Sequence, residues 1–164
     1  MNNLTITKKE LRGKYVTLDC NIFILFVIGT LGKQHIQKFK RTRIFKEEDF
    51  DVLISLLSES IVILTPNVLT EASNLLESYK VGGQNIGLKG LKIIIESIEE
   101  SYEKSNNLIE LVSFEKFGLS DSSIDNLCQN NVIAITVDLP LYGYLVSKSY
   151  PVINFNHVRT AYVV

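Results

Sequence analysis

Hydrophobic and polar positions along the chain follow two alternating periods. Short, continuous apolar runs rich in β-branched residues occupy residues 61–64, 108–113, 132–137 and 151–154, and another starts at Tyr15 and ends at the carboxylate of Asp19. Such runs predict strands covered on both faces. Between them, apolar residues recur at helical spacing. Residues 21–32 predict a helix apolar on most faces, hence buried, that stops at Gly32. Residues 47–60 carry Phe50, Leu53, Ile54 and Leu57 on one face, with acids in the first turn. Thr65-Pro66 supplies a capping hydroxyl and a proline at the first position of a helix running to about Lys80, with Val68, Ala72, Leu75 and Tyr79 inward. Further helices are expected over 88–104 (Leu91, Ile94, Ile95 and Ile98 inward), from a Ser120 cap after a break at Gly118 to about Gln129, and over 139–149.

Strands alternating with helices predict an α/β fold: a three-layer sandwich around a parallel sheet of about five strands. Residues 1–14 form a polar lead-in, and 81–87 (Val-Gly-Gly-Gln-Asn-Ile-Gly) read as a flexible connection too short and irregular for a phosphate loop. No repeat, low-complexity segment or linker divides the 164 residues, so one domain spanning 1–164 is expected.

Composition narrows the class. With 46% hydrophobic and 21% charged residues the chain is globular. The apolar run 16–31 contains Asp19, Asn21 and Gly29 and falls short of the roughly 20 uninterrupted apolar residues that cross a bilayer. Cys20 and Cys128 make neither a metal-ligand spacing nor a disulfide framework, and no secretory leader is visible, so a reducing cytoplasm is the expected compartment.

Net charge is −1, but its distribution is uneven. Residues 33–46 hold six basic side chains and no acid, leaving 11 basic against 18 acidic residues, or −7, elsewhere. Lys38, Lys40, Arg41 and Arg43 are candidates to contact a phosphate backbone, with a solvated helix end as the plainer reading. Phe39 and Phe45 lie among these charges, suited either to stacking on unpaired bases or to the core.

Four acids occupy comparable positions. Asp19 and Asp138 each end an apolar strand, Glu71 lies in the first half of the helix after the second strand, and Asp121 opens the helix before the fourth. Ligands of open α/β sheets gather beyond the carboxyl ends of strands, where the strand order reverses. With strand order 3-2-1-4-5, Asp19 and Asp138 face each other across that crevice. Each acid alone reads equally as a helix cap or a surface charge. Together they repel one another unless a cation is shared, and oxygen-only ligands without His or Cys select Mg²⁺ or Mn²⁺ over zinc.

At this point the chain resembles the PIN domain family, the metal-dependent ribonuclease fold of VapC-type toxins. The resemblance rests on Leu18-Asp-Cys-Asn21, Thr65-Pro-Asn-Val-Leu-Thr-Glu71, Gly118-Leu-Ser-Asp-Ser-Ser-Ile124 and Ile135-Thr-Val-Asp138, in the family's order, and covers about residues 15–155. It implies catalytic acids at Asp19, Glu71, Asp121 and Asp138, metal ligation by Asp19, Asp121 and Asp138, and supporting polar roles for Asn21 and Thr136. It further implies hydrolysis of RNA phosphodiesters with Mg²⁺ or Mn²⁺, in a toxin-type or defence-related nuclease with an antitoxin or other protein partner. Cys20 stands where the family often has Thr or Ser, and segments 33–46 and 81–88 look longer than in compact toxins. Asp125, one turn after Asp121, could share that site but reads more simply as a surface residue. Apolar positions Leu141, Tyr142, Leu145 and Val146 suit either the core or a homodimer contact.

Two other readings compete. One is a PIN-like docking subunit of a larger complex with weak or absent catalysis. The other is a phosphatase using an Asp nucleophile, but groups resembling haloacid dehalogenases place a second Asp two residues after the first, where this chain has Asn21.

Overall fold

The computed structural model describes residues 8–161, so residues 1–7 of the expected lead-in lie outside the described residues. A 3₁₀ turn at Lys8–Leu11 buries Leu11 before the first strand. The chain then runs β1 (Tyr15–Leu18), α1 (Cys20–Leu31), α2 (Glu47–Leu57), β2 (Ile61–Leu64), α3 (Pro66–Leu76), β3 (Lys80–Val81), β4 (Gln84–Asn85), α4 (Ile86–Ile95), β5 (Glu99–Glu100), α5 (Ser105–Leu108), α6 (Val112–Gln129), β6 (Ile133–Thr136), α7 (Leu139–Ser147), β7 (Val152–Asn154) and α8 (Phe155–Ala161). Five strands form an all-parallel sheet in the order β5-β2-β1-β6-β7, flanked by helices in a three-layer α/β arrangement. No helix among the described residues is long and apolar enough to cross a membrane.

Counted along the chain within this sheet, the strands follow the expected order 3-2-1-4-5, but two details differ. Two extra strands, β3 and β4, make a separate antiparallel hairpin where a flexible connection is expected, and the strand beside β2 is Glu99–Glu100 rather than residues 108–113. Residues 108–113 have β-prone composition but no strand: Leu108 and Ser113 are buried while Ile109 and Val112 are 44% and 59% exposed, and the segment spans the end of α5 and the start of α6. Glutamates are poor strand formers, yet pairing of Glu99 with Ile63 and Glu100 with Leu64 overrides that preference. Their charges also suit a sheet edge, which must resist pairing with other chains. This strand shortens the helix expected over 88–104 to Ile86–Ile95. Ile54 and Ile95, expected inward, are 37% and 42% exposed.

Helix α1 is the centre of the core. Eight of its twelve residues are buried, and it packs against α2, α3 and α4. Gly29 permits the closest of these approaches, because a Cβ there would stand 2.2 Å from the Phe50 ring of α2. Gly118 serves a different need. Its φ of 83° and ψ of −174° break α6 into two helical pieces, and an L side chain rarely adopts that φ.

The basic segment is folded onto the core rather than solvated throughout. Ile36, Phe39, Thr42 and Phe45 recur at intervals of three and are all buried, in a run of i→i−3 and i→i−4 turns. Phe39 packs on Tyr79 with ring centroids 4.8 Å apart, and Phe45 packs on Phe155 at 6.2 Å. Both rings therefore belong to the core. Arg159 of α8 ties down the segment's end, bonding the Ile44 carbonyl (3.2 Å) and the buried Asp49 carboxylate (3.0 Å).

Candidate functional site

The carboxyl ends of β1 and β6 are neighbours, with Leu18 paired to Ile135, and the Asp19 N–H continues the ladder to the Ile135 carbonyl (3.1 Å). Asp19 and Thr136 thus hold equivalent ranks on adjacent parallel strands, where side chains point to the same face. The Thr136 hydroxyl donates to Asp19 Oδ2 and accepts from the Asp138 N–H (2.9 Å). Asp19 Oδ2 also accepts from the Val137 N–H (2.9 Å), and its Oδ1 accepts from the Ile22 N–H (2.7 Å), capping α1. Asp19 is thus both the cap of α1 and a tie between the two strand ends. Asp138 caps α7 in the same way, through the Leu141 N–H (2.8 Å), and remains exposed.

Asp19 is 4% exposed. Burial pushes its carboxyl above the usual range, opposed by its three hydrogen bonds and reinforced by the Asp138 charge. Asp121, half-buried in α6, is pushed up to about 7, first by burial and then by the charges of Asp138, Asp19 and Glu71. Burial also raises the Cys20 thiol, with Glu71, Asp19 and Asp121 adding to the effect and Arg41 opposing it. The four acids therefore share one electrostatic neighbourhood, and Arg41 of the basic segment reaches its edge.

Glu71 and Asp121 arrive on helices that are fastened together. Thr65, the N-cap of α3, accepts from the Val68 N–H (3.3 Å) and bonds Ser123 Oγ of α6 (2.7 Å), while Ser123 donates to the Ser120 carbonyl (2.6 Å). Because each hydroxyl has one proton, Thr65 is the donor to Ser123. Asp125 is not a surface residue: it is 1% exposed, and Oδ2 accepts from Ser113 (2.6 Å) and from the Tyr144 hydroxyl (3.1 Å). Those bonds clamp the two pieces of α6 across Gly118 and join them to α7. The expected Ser120 cap is also absent, since Ser120 Oγ is buried without a protein partner.

Asn21 is exposed on the first turn of α1, outside the Asp19–Thr136–Asp138 network. Lys38, Lys40, Arg41 and Arg43 are exposed on the segment whose apolar positions are buried.

The donor chemistry suits a hard divalent cation: carboxylates alone, partly buried, with uncompensated mutual repulsion. The spacing is looser. Among the described residues, no three Asp, Glu, His or Cys side chains stand close enough to hold a metal ion as they are placed. Composition and strand position revealed the acids, whereas the Thr65–Ser123 and Asp125–Ser113 clamps carry no sequence pattern beyond scattered small polar residues. The chain matches no protein-family model and no curated protein.

Proposed function

We propose that the protein is a PIN-like, metal-dependent endoribonuclease whose site lies beyond the carboxyl ends of β1 and β6. The observation that carries this reading is the shared neighbourhood of Asp19, Glu71, Asp121 and Asp138, in which the charges of the other three add to burial in raising the Asp121 pKa to about 7. Asp19, Asp121 and Asp138 would hold Mg²⁺ or Mn²⁺, which when bound supplies Lewis-acid polarisation of a scissile phosphate and a lowered pKa for the attacking water. Thr136 fixes the Asp19 carboxylate and the Asp138 backbone relative to each other, the support that a ligand set needs. Glu71, exposed at the rim, is placed to orient water or accept its proton. Lys38, Lys40, Arg41 and Arg43 contact the substrate backbone outside the acidic centre, with Arg41 nearest to it. The exposed Leu139 and Val146 of α7 provide apolar surface for a homodimer contact.

A docking subunit without catalysis is the second reading, favoured by the spacing of the acids. One assay separates the two: cleavage of a structured RNA pool by purified protein with Mg²⁺, with Mn²⁺ and with EDTA, beside folded Asp138→Ala. The nuclease reading expects metal-dependent cutting that the variant loses. No cutting by folded wild type under any condition supports the docking subunit.

A further inference from the structure

A groove of about 510 Å³ opens beside the acids, between α3, the loop after β5 and the start of the second piece of α6. It shares Glu71 with the candidate site, and another of its lining residues, Ser120, directly precedes Asp121. The groove therefore adjoins the candidate site. Asn67, Asn74, Tyr102 and Glu103 contribute the rest of its chemistry, and no lysine or arginine lines it. With two carboxylates and no cation, it repels phosphate and suits a neutral group rich in hydrogen-bond donors.

Tyr102 identifies the shape of that group. At 73% exposed it is the most exposed large hydrophobic side chain among the described residues, and it lines the groove. Its position is not arbitrary, because the adjacent Ser101 N–H bonds the Leu64 carbonyl (2.8 Å), fastening the loop beside the Thr65 cap of α3. Glu103 is likewise held, its Oε1 accepting from the Lys104 N–H (2.8 Å) and the Asn107 amide.

We propose that this groove takes a nucleobase of single-stranded RNA next to the scissile phosphate, stacked on Tyr102 and read by Glu103 and the Asn67 and Asn74 amides. This rests on the nuclease reading of the adjoining acids. A carboxylate accepts from exocyclic amino and ring N–H groups, so guanine, with two such donors side by side, is preferred and uracil is disfavoured.

The test is binding of short fluorescent single-stranded RNAs, guanine-rich or uracil-rich, by fluorescence anisotropy in EDTA, with cleavage of the same RNAs in Mn²⁺ measured in parallel. Wild type is expected to bind the guanine-rich strand more tightly. Tyr102→Ala should weaken binding by about 5- to 150-fold, the equivalent of 1–3 kcal/mol for one stacked base, while Tyr102→Phe restores it. Glu103→Gln should erase the guanine preference and leave the fold intact by circular dichroism. Tyr102→Ala binding like wild type, or wild type binding neither RNA, overturns the groove assignment. Binding that depends on Tyr102 without any cleavage supports the groove and overturns the nuclease reading. Cleavage indifferent to Tyr102 does the reverse.

Discussion

The two acids that end strands and the two that ride on helices share one neighbourhood but are held in opposite ways. Asp19 is buried and committed: its two oxygens accept three hydrogen bonds, from Ile22, Thr136 and Val137. It is a helix cap and a cross-strand tie as much as a candidate ligand. Glu71 and Asp121 owe their positions to their helix backbones and to the hydroxyl clamp between Thr65 and Ser123. Charge at Asp19 is answered by donors. Charge at Asp121 is met chiefly by burial and by other acids, which is why its pKa rises to about 7. Stability is thus concentrated at the strand ends, and electrostatic tension on α6.

Substitutions should separate the pair by sign. The largest effect is expected from Asp19→Ala, which removes the α1 cap and leaves the buried Thr136 hydroxyl and the Val137 N–H unanswered. A cap is worth about 1 kcal/mol and an unsatisfied buried donor about 1–3 kcal/mol, so denaturant unfolding should show a loss of roughly 2–4 kcal/mol. Asp19→Asn keeps one acceptor oxygen but sets an NH₂ donor in place of the other, so it should recover only part of that loss while leaving RNA cleavage abolished. Equal destabilisation by both variants would mean that the negative charge, not the acceptor, stabilises this corner.

Next comes Thr136→Val. It preserves shape but deletes the donor to Asp19 and the acceptor for the Asp138 N–H, both at a fully buried position. A loss of about 1–2 kcal/mol is expected by thermal or denaturant unfolding. Metal affinity should fall about 10- to 100-fold, the usual consequence of removing a group that orients a ligand.

The smallest stability change, and the one of opposite sign, belongs to Asp121→Asn. The folded-state pKa of Asp121 lies near 7 against an ordinary 3.8, so the folded protein holds this proton more tightly than the unfolded chain. Stability of the metal-free protein therefore declines as pH rises from about 4 to about 7, and levels off above. The raised pKa of Asp19 acts in the same direction. Asp121→Asn should flatten the decline and raise the melting temperature of metal-free protein near neutral pH. A pH profile unchanged by the substitution would show that Asp121 is not the group under tension.

The same contrast explains what the sequence could disclose. Strand-end acids are legible because an apolar run that stops at Asp19 or Asp138 ties a residue to a register. The alternation of strands and helices likewise gave the parallel α/β architecture, and Gly118 its break. Glu99–Glu100 was hidden because edge pairing with β2 overrides a poor strand propensity, and residues 108–113 misled because their β-prone composition found no strand partner and leaves Ile109 and Val112 exposed. The three-residue spacing of Ile36, Phe39, Thr42 and Phe45 is visible in the sequence, but six interspersed cations mask it. Asp125 reads as a surface acid because its partners Ser113 and Tyr144 lie 12 and 19 residues away in the chain.

Titration calorimetry of Mn²⁺ into metal-free protein, near pH 8 and near pH 5, tests the shared cation site most directly. Binding requires deprotonated carboxylates, so the account predicts binding near pH 8 that weakens at least about tenfold near pH 5, where Asp121 is protonated. It also predicts that Asp19→Asn and Asp121→Asn each abolish the high-affinity binding. No binding near pH 8, or binding that neither substitution alters, would contradict it.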